Sequence, residues 1–151
     1  MSIDQDISQS KFRNEYQKAG INLLFTYGWL MERTKEIFAT EDITPQQFNI
    51  LRILRGSYPL PLSTLQIRER MLDKMSDTSR IVDRLIAKGL VKKGVCKADR
   101  RLVDVIITDK GKKMLERLDK KQDELDNIIG NLSVKEAETL SELLDKIRGS
   151  E

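Results

Sequence analysis

The chain has 151 residues, 34% of them charged and 5% aromatic, with a net charge of +3, one cysteine and no histidine. That length suits one domain with a real core, and no apolar run is long enough to span a bilayer. The missing histidine excludes imidazole acid–base chemistry, and the lone Cys96 excludes both an internal disulfide and a zinc cluster.

The opening, Met1-Ser-Ile-Asp-Gln-Asp6, lacks a basic segment leading into an apolar one. No signal peptide is expected, and a reducing cytoplasm is the expected setting. A long helix is predicted from about Lys11 to Ala39, with Tyr16, Ile21, Leu24, Phe25, Trp29 and Phe38 at roughly helical spacing. Thr44-Pro45-Gln46-Gln47 then carries the marks of a helix start. Threonine caps, proline suits the first turn, and the glutamine reaches back to the cap. Phe48, Leu51 and Leu54 form the stripe of this helix, which ends at Gly56-Ser57-Tyr58-Pro59. Ser63 to Gln66 repeats the capping box and opens a short helix whose apolar residues are Leu65, Ile67, Met71 and Leu72.

Asp73-Lys74-Met75 reads as a turn, after which Ser76 or Asp77 caps an amphipathic helix over residues 76–88. Ile81, Val82, Leu85 and Ile86 form its inner face, and Gly89 sits at the left-handed position after its end. A strand begins at Leu90-Val91, residues Gly94 to Arg100 are turn-like, and Leu102 to Ile107 alternate as a returning strand. Helical spacing resumes at Thr108 with Leu115, Leu118, Leu125 and Ile129, and breaks at Asn131-Leu132-Ser133. Ser133 and Glu136 form a capping box for a last helix bearing Leu140, Leu143, Leu144 and Ile147. The expected fold is mainly α with a small β-hairpin (α+β).

The order helix, tight turn, amphipathic helix, hairpin is that of a winged helix-turn-helix. Charge is distributed to match. Residues 62–107 hold eleven Lys/Arg against six Asp/Glu, net +5, whereas 1–61 balance at zero and 108–151 carry −2. A localised basic region suits a polyanion partner. Short hydroxyls at the start of the 76–88 helix suit phosphates or base edges, and arginine suits guanine. The blander reading is that Arg80 and Arg84 pair with Asp83 or Asp77 on a solvated face.

Residues 44–111 resemble the multiple antibiotic resistance regulator (MarR) family. The likeness lies in Thr44 to Phe48 with Leu51 and Leu54, in the run Ser79 to Val91, and in Asp99-Arg100-Arg101 followed by Val103, Val105, Ile107, Thr108 and Gly111. It implies a single unit spanning 1–151. Within it, a winged helix-turn-helix lobe (44–110) is flanked by dimerisation helices at 1–43 and 111–151. It implies a homodimeric regulator, commonly a repressor, that binds a pseudo-palindromic site on double-stranded DNA without cofactor or metal.

The expected DNA-contacting residues are Ser76, Asp77, Thr78, Ser79, Arg80, Arg84, Lys92, Lys97, Arg100 and Arg101. Among these, the resemblance makes Arg101 the wing arginine that enters the minor groove, braced by Asp99. The turn from Arg70 to Met75 is longer than the family norm and lacks its glycine, which shifts the start of the recognition helix and bears on residues 76–78. Small aromatic effectors are common in such proteins, and Tyr27, Trp29 and Phe48 are the candidate pocket residues. Cys96 lies beside Lys93 and Lys97, which favour a thiolate. The peroxide-sensing members, however, carry their cysteine near the first helix, so Cys96 reads as a small strand residue.

The surplus of apolar residues at the two ends predicts a dimer. They are Ile21, Leu24 and Phe25 at one end, and Leu118, Leu125, Ile129, Leu140, Leu144 and Ile147 at the other. An enzyme is disfavoured, since no Walker or dinucleotide loop occurs and the carboxylates are scattered. The competing reading is a winged-helix module for protein contact without sequence-specific DNA binding.

Overall fold

A computed structural model describes residues 1–95, 97–99 and 103–149. A short helix, α1 (Ile3–Asp6), precedes the long α2 (Glu15–Ala39). The long helix starts later than the sequence periodicity suggests. Asn14 is fully extended, and its side-chain oxygen accepts the N–H of Gln17 at 2.9 Å, which stops the helix there. The helix α3 (Pro45–Ser57) starts where expected. The Thr44 hydroxyl accepts the Gln47 N–H, and the Gln47 side chain accepts the Thr44 N–H, both at 3.1 Å.

A two-residue strand, β1 (Leu62–Ser63), leads directly into α4 (Thr64–Arg70), whose Ser63–Gln66 capping box is also formed. The strand is invisible to periodicity, because two residues define no period. The helix α5 (Thr78–Ala87) follows, then the hairpin of β2 (Val91–Val95) and β3 (Val103–Ile107). The three strands are antiparallel in the order β1-β3-β2, with Leu62 opposite Val105 and Val91 opposite Ile107. The mainly helical architecture with a small sheet matches the expected fold class.

The run from Thr108 is not one helix. It divides into α6 (Asp109–Asp119) and α7 (Gln122–Asn127), before α8 (Val134–Ile147). No proline or glycine marks the division. Lys121 leaves the helical track, and its ammonium donates to the Thr40 hydroxyl at 2.7 Å. The cause is tertiary, and the local sequence carries no sign of it.

One core lies between α3, α5, α6 and the sheet. Ile50, Leu51 and Leu54 of α3 meet Ile67 and Met71, Val82 and Leu85, Leu90, Val105 and Ile107, and Leu115 and Leu118, all almost fully buried. Full burial of such a side chain stabilises by about 1.5–3 kcal/mol. Leu118 therefore closes this lobe and is not surplus, and the partly buried Leu125 packs against the same core. Ile81 and Ile86, expected inside, are half-buried against its edge. Leu65 and Leu72, expected to serve α4, are exposed instead, because Ile67 and Met71 already fill its inner side.

Two bidentate ion pairs fasten the rear of the lobe. Arg117 donates to both oxygens of Glu41 at 2.9 Å, and Arg55 to both oxygens of Asp119 at 2.7 and 3.0 Å. Each guanidinium holds its carboxyl below the ordinary carboxylate range, chiefly through these hydrogen bonds.

The end of α5 is joined to the start of α6. The backbone N–H of Thr108 donates to the Leu90 carbonyl at 3.0 Å and its hydroxyl to the Gly89 carbonyl at 2.7 Å, while the Lys110 ammonium donates to the Lys88 carbonyl at 2.8 Å. Gly89 supplies the positive φ of 73° that turns the chain from α5 into β2. At Gly111 a side chain would strike the Leu90 carbonyl and would lie 2.7 Å from Ile107 Cγ1, so only glycine lets the backbones meet.

Candidate nucleic-acid interface

The site is built from the turn between α4 and α5 outward. Met71 is the last core residue before the turn. The Asn49 side chain, from α3, accepts the Leu72 N–H at 2.9 Å and pins the chain as it leaves α4. Asp73 then organises the turn. Its carboxylate accepts the Met75 N–H at 3.0 Å, and its carbonyl accepts the Ser76 N–H at 3.4 Å. The Lys74 ammonium donates to the Glu69 carbonyl. The turn thus holds its course without a glycine: the Asp73 carboxylate and carbonyl accept the N–H groups of Met75 and Ser76.

Of the two possible caps, Asp77 is the one used. Its carboxylate accepts the Arg80 N–H at 3.2 Å, so α5 begins at Thr78. Helical rotation then sorts the residues. Thr78, Val82 and Leu85 are buried, while Ser79, Arg80, Asp83 and Arg84 are exposed on the other side. Thr78 is a correction to the expected contact set. It is 5% exposed, and its hydroxyl lies 3.4 Å from the Met71 sulfur, because with Asp77 as cap it falls on the same face as Val82 and Leu85. Ser76 is half-buried in the turn, and Asp77 is spent on the helix end.

The acids near the arginines are otherwise engaged. Asp83 accepts from the Lys93 ammonium of β2 at 2.9 Å, tying the helix to the hairpin. Among the described residues no carboxylate is paired with Arg80 or Arg84. Lys92 and Lys97 are exposed, as is Lys93. Lys88 is drawn away to the α2–α3 corner, 3.6 Å from the Asp42 carboxylate. Asp99 is half-buried. Arg100 and Arg101 of the expected wing, and Cys96, lie outside the described residues, so the bracing of Arg101 is not part of this geometry.

Two open grooves flank the start of α5. One, of about 480 Å³, is lined by Thr64, Leu65, Arg68, Met75, Ser76 and Ser79 among others. The other, of about 360 Å³, includes Thr44, Gln46, Asp73, Arg80 and Arg84. Arg68 thus joins the site without having been singled out by sequence. The only prior signal was its place on the exposed side of a short helix whose inner side is Ile67.

A third cleft, of about 470 Å³, separates α2 from the turn and includes Tyr27, Leu30, Met31, Pro45, Met71 and Leu72 in its lining. Of the three residues expected to form a pocket, Tyr27 lines this cleft. Trp29 lies under the Arg33 guanidinium at 4.0 Å, and Phe48 stacks on Phe38 with centroids 4.2 Å apart. Those two are engaged in packing.

The family model for the MarR family matches residues 43–103. No curated protein matches the chain at a significant level. Among solved structures, a MarR transcription factor from Planctomyces limnophilus is 32% identical, covers 93% of this chain and 100% of its own, and superposes with a TM-score of 0.68. A mutant MarR from E. coli, complexed with operator DNA, is 25% identical over 91% of this chain and 99% of its own, with a TM-score of 0.80. BpsR of Bordetella bronchiseptica, described for the regulation of its DNA binding by 6-hydroxynicotinic acid, shares the fold at 22% identity and a TM-score of 0.76, covering 87% of this chain and 98% of its own.

Proposed function

The chain belongs to the MarR family of transcription regulators, and from that premise we propose that it is a repressor that binds a pseudo-palindromic operator as a homodimer. One observation carries the reading. The face of α5 opposite Val82 and Leu85 presents Ser79, Arg80 and Arg84 to solvent, with no described carboxylate neutralising either arginine. A recognition helix needs one face buried and the other free for the major groove. Lys92 and Lys97 on the hairpin side supply charge for phosphates, which fix register but carry no sequence information.

The division of labour is that the winged lobe, residues 44–110, binds DNA, and the segments 1–43 and 111–151 pair two copies. Exposed apolar residues support the second part. Leu24, Val134 and Ile147 are 74%, 79% and 69% exposed, which is unusual for a chain that stays alone. Asp99 braces Arg101 in this scheme. The cleft beside Tyr27 falls within the size range of small-molecule sites. An aromatic effector bound there would press on the turn before α5 and release the DNA. The protein works in the cytoplasm.

The experiment is a pair of substitutions read on two duplexes. Arg80→Ala should lose about 1–3 kcal/mol on an operator enriched from random DNA, and much less on a scrambled duplex. Lys92→Ala should weaken both alike. Equal losses for Arg80→Ala on the two duplexes would reduce it to a phosphate contact, and a footprint without two-fold symmetry would sink the dimeric reading.

A further inference from the structure

Apolar side chains stand in solvent at the end of the fold where the proposed DNA arrives, and two of them share one groove. Met75 is 93% exposed and Leu65 53%. Both line the groove that also holds Ser76, Ser79 and Arg68. The neighbouring core needs neither, since Ile67 and Met71 already fill it from the same stretch of chain. An exposed methionine is commonplace, but the backbone under this one is held. Its own N–H is bonded to Asp73, and the next residues are fixed by Asp73 and the Asp77 cap. The side chain therefore projects from a defined point, two residues before the cap of the helix.

The surroundings select the occupant. Arg68 and Arg80 stand at the borders of the two grooves at this helix end, and the two nearby acids are turned onto backbone N–H groups. The surface is an apolar prong within a basic rim. The major groove of a duplex is the complement of that pattern. It is walled by phosphates, and each thymine offers one apolar group there, the C5 methyl. An uncharged apolar protein groove would not call for the basic rim.

Resting on the regulator reading above, we infer that Met75 is a specificity-determining residue that lays its thioether against a thymine methyl in each half-site. Leu65, which lines the same groove, shields the contact from water. The methionine arm is long and adaptable enough to find the methyl without displacing Ser79 or Arg80 from their own contacts.

The test removes the methyl and nothing else. The full-length protein enriches an operator from a random duplex pool, and each thymine of that operator is then replaced singly by uracil. Fluorescence anisotropy should find one thymine per half-site whose replacement weakens the wild type about fourfold, the factor expected for burying one methyl-sized group. Met75→Ala should bind the thymine operator about fourfold more weakly and ignore the change to uracil. Met75→Leu should keep the sensitivity, and Met75→Gln, of similar length, should lose it. Arg80→Ala, though weaker overall, should still distinguish thymine from uracil. A pool that yields no enriched sequence would overturn the regulator reading and this inference with it. An enriched operator with no methyl-sensitive thymine, or a sensitivity that survives in both Met75→Ala and Met75→Gln, would overturn this inference alone.

Discussion

The winged lobe and the chain ends use the same kinds of residue to opposite effect. In the lobe, leucines and isoleucines from α3, α5 and α6 disappear into one core. At the ends, α2 buries only Phe38 fully, α7 gives the core only the partly buried Leu125, and α8 has no buried residue. Yet α8 is as plainly amphipathic by sequence as α3. The difference teaches that an apolar stripe specifies a need for cover, and says nothing about whether the cover comes from the same chain.

The comparison can be broken first at the core. Leu54→Ala should cost about 2–5 kcal/mol of unfolding free energy in urea, because it empties a site that is 1% exposed. The double change Leu143→Glu with Ile147→Glu, on α8, should leave the lobe's own folding cooperative. On the dimeric reading proposed above, it should reduce the sedimenting mass from two chains to one and weaken operator binding by about a hundredfold, through loss of the second binding module. If the α8 pair destabilised the lobe as much as Leu54→Ala, the two regions would not differ as described.

Smaller effects sharpen the picture. Thr44→Ala removes a capping hydroxyl at the entrance to α3 and should cost about 1 kcal/mol, with no change in sedimenting mass. The smallest is a pH effect at the rear of the lobe. Glu41 has its pKa lowered in the folded state by Arg117. Its contribution is thus present above the unfolded carboxylate value, about 4.3, and is lost as pH falls through the lowered folded value. Glu41→Gln should flatten the acid limb of the stability profile and leave neutral-pH DNA binding unchanged. A profile identical to wild type would remove the Glu41–Arg117 pair from the account.

Local signals were the legible ones. The capping boxes at Thr44, Ser63 and Ser133 are complete within four residues each, and all three are formed. The outward placement of Ser79, Arg80 and Arg84 could be read against Val82 and Leu85, because both sets lie on one regular helix. What could not be read depended on distant partners. The break at Lys121 answers to Thr40, and β1 exists only because Leu62 and Ser63 meet Val105 and Asp104. Thr78 was misplaced because choosing between Ser76 and Asp77 as cap decides which residues of the first turn face inward. Arg68 was missed because it shares a groove with Ser76 and Ser79 across space and not along the chain.

The joint where α5 hands over to α6 has a mechanical consequence. Three successive carbonyls, of Lys88, Gly89 and Leu90, are held by Thr108, the cap of α6, and by Lys110 in its first turn, and Gly111 lets the two backbones touch. The hairpin lies between α5 and α6 in the chain, yet the end of one helix is bonded directly to the start of the other. The two behave as arms of one crank: a tilt imposed on α6 arrives at Arg80 and Arg84 as a change of angle, with little lost between.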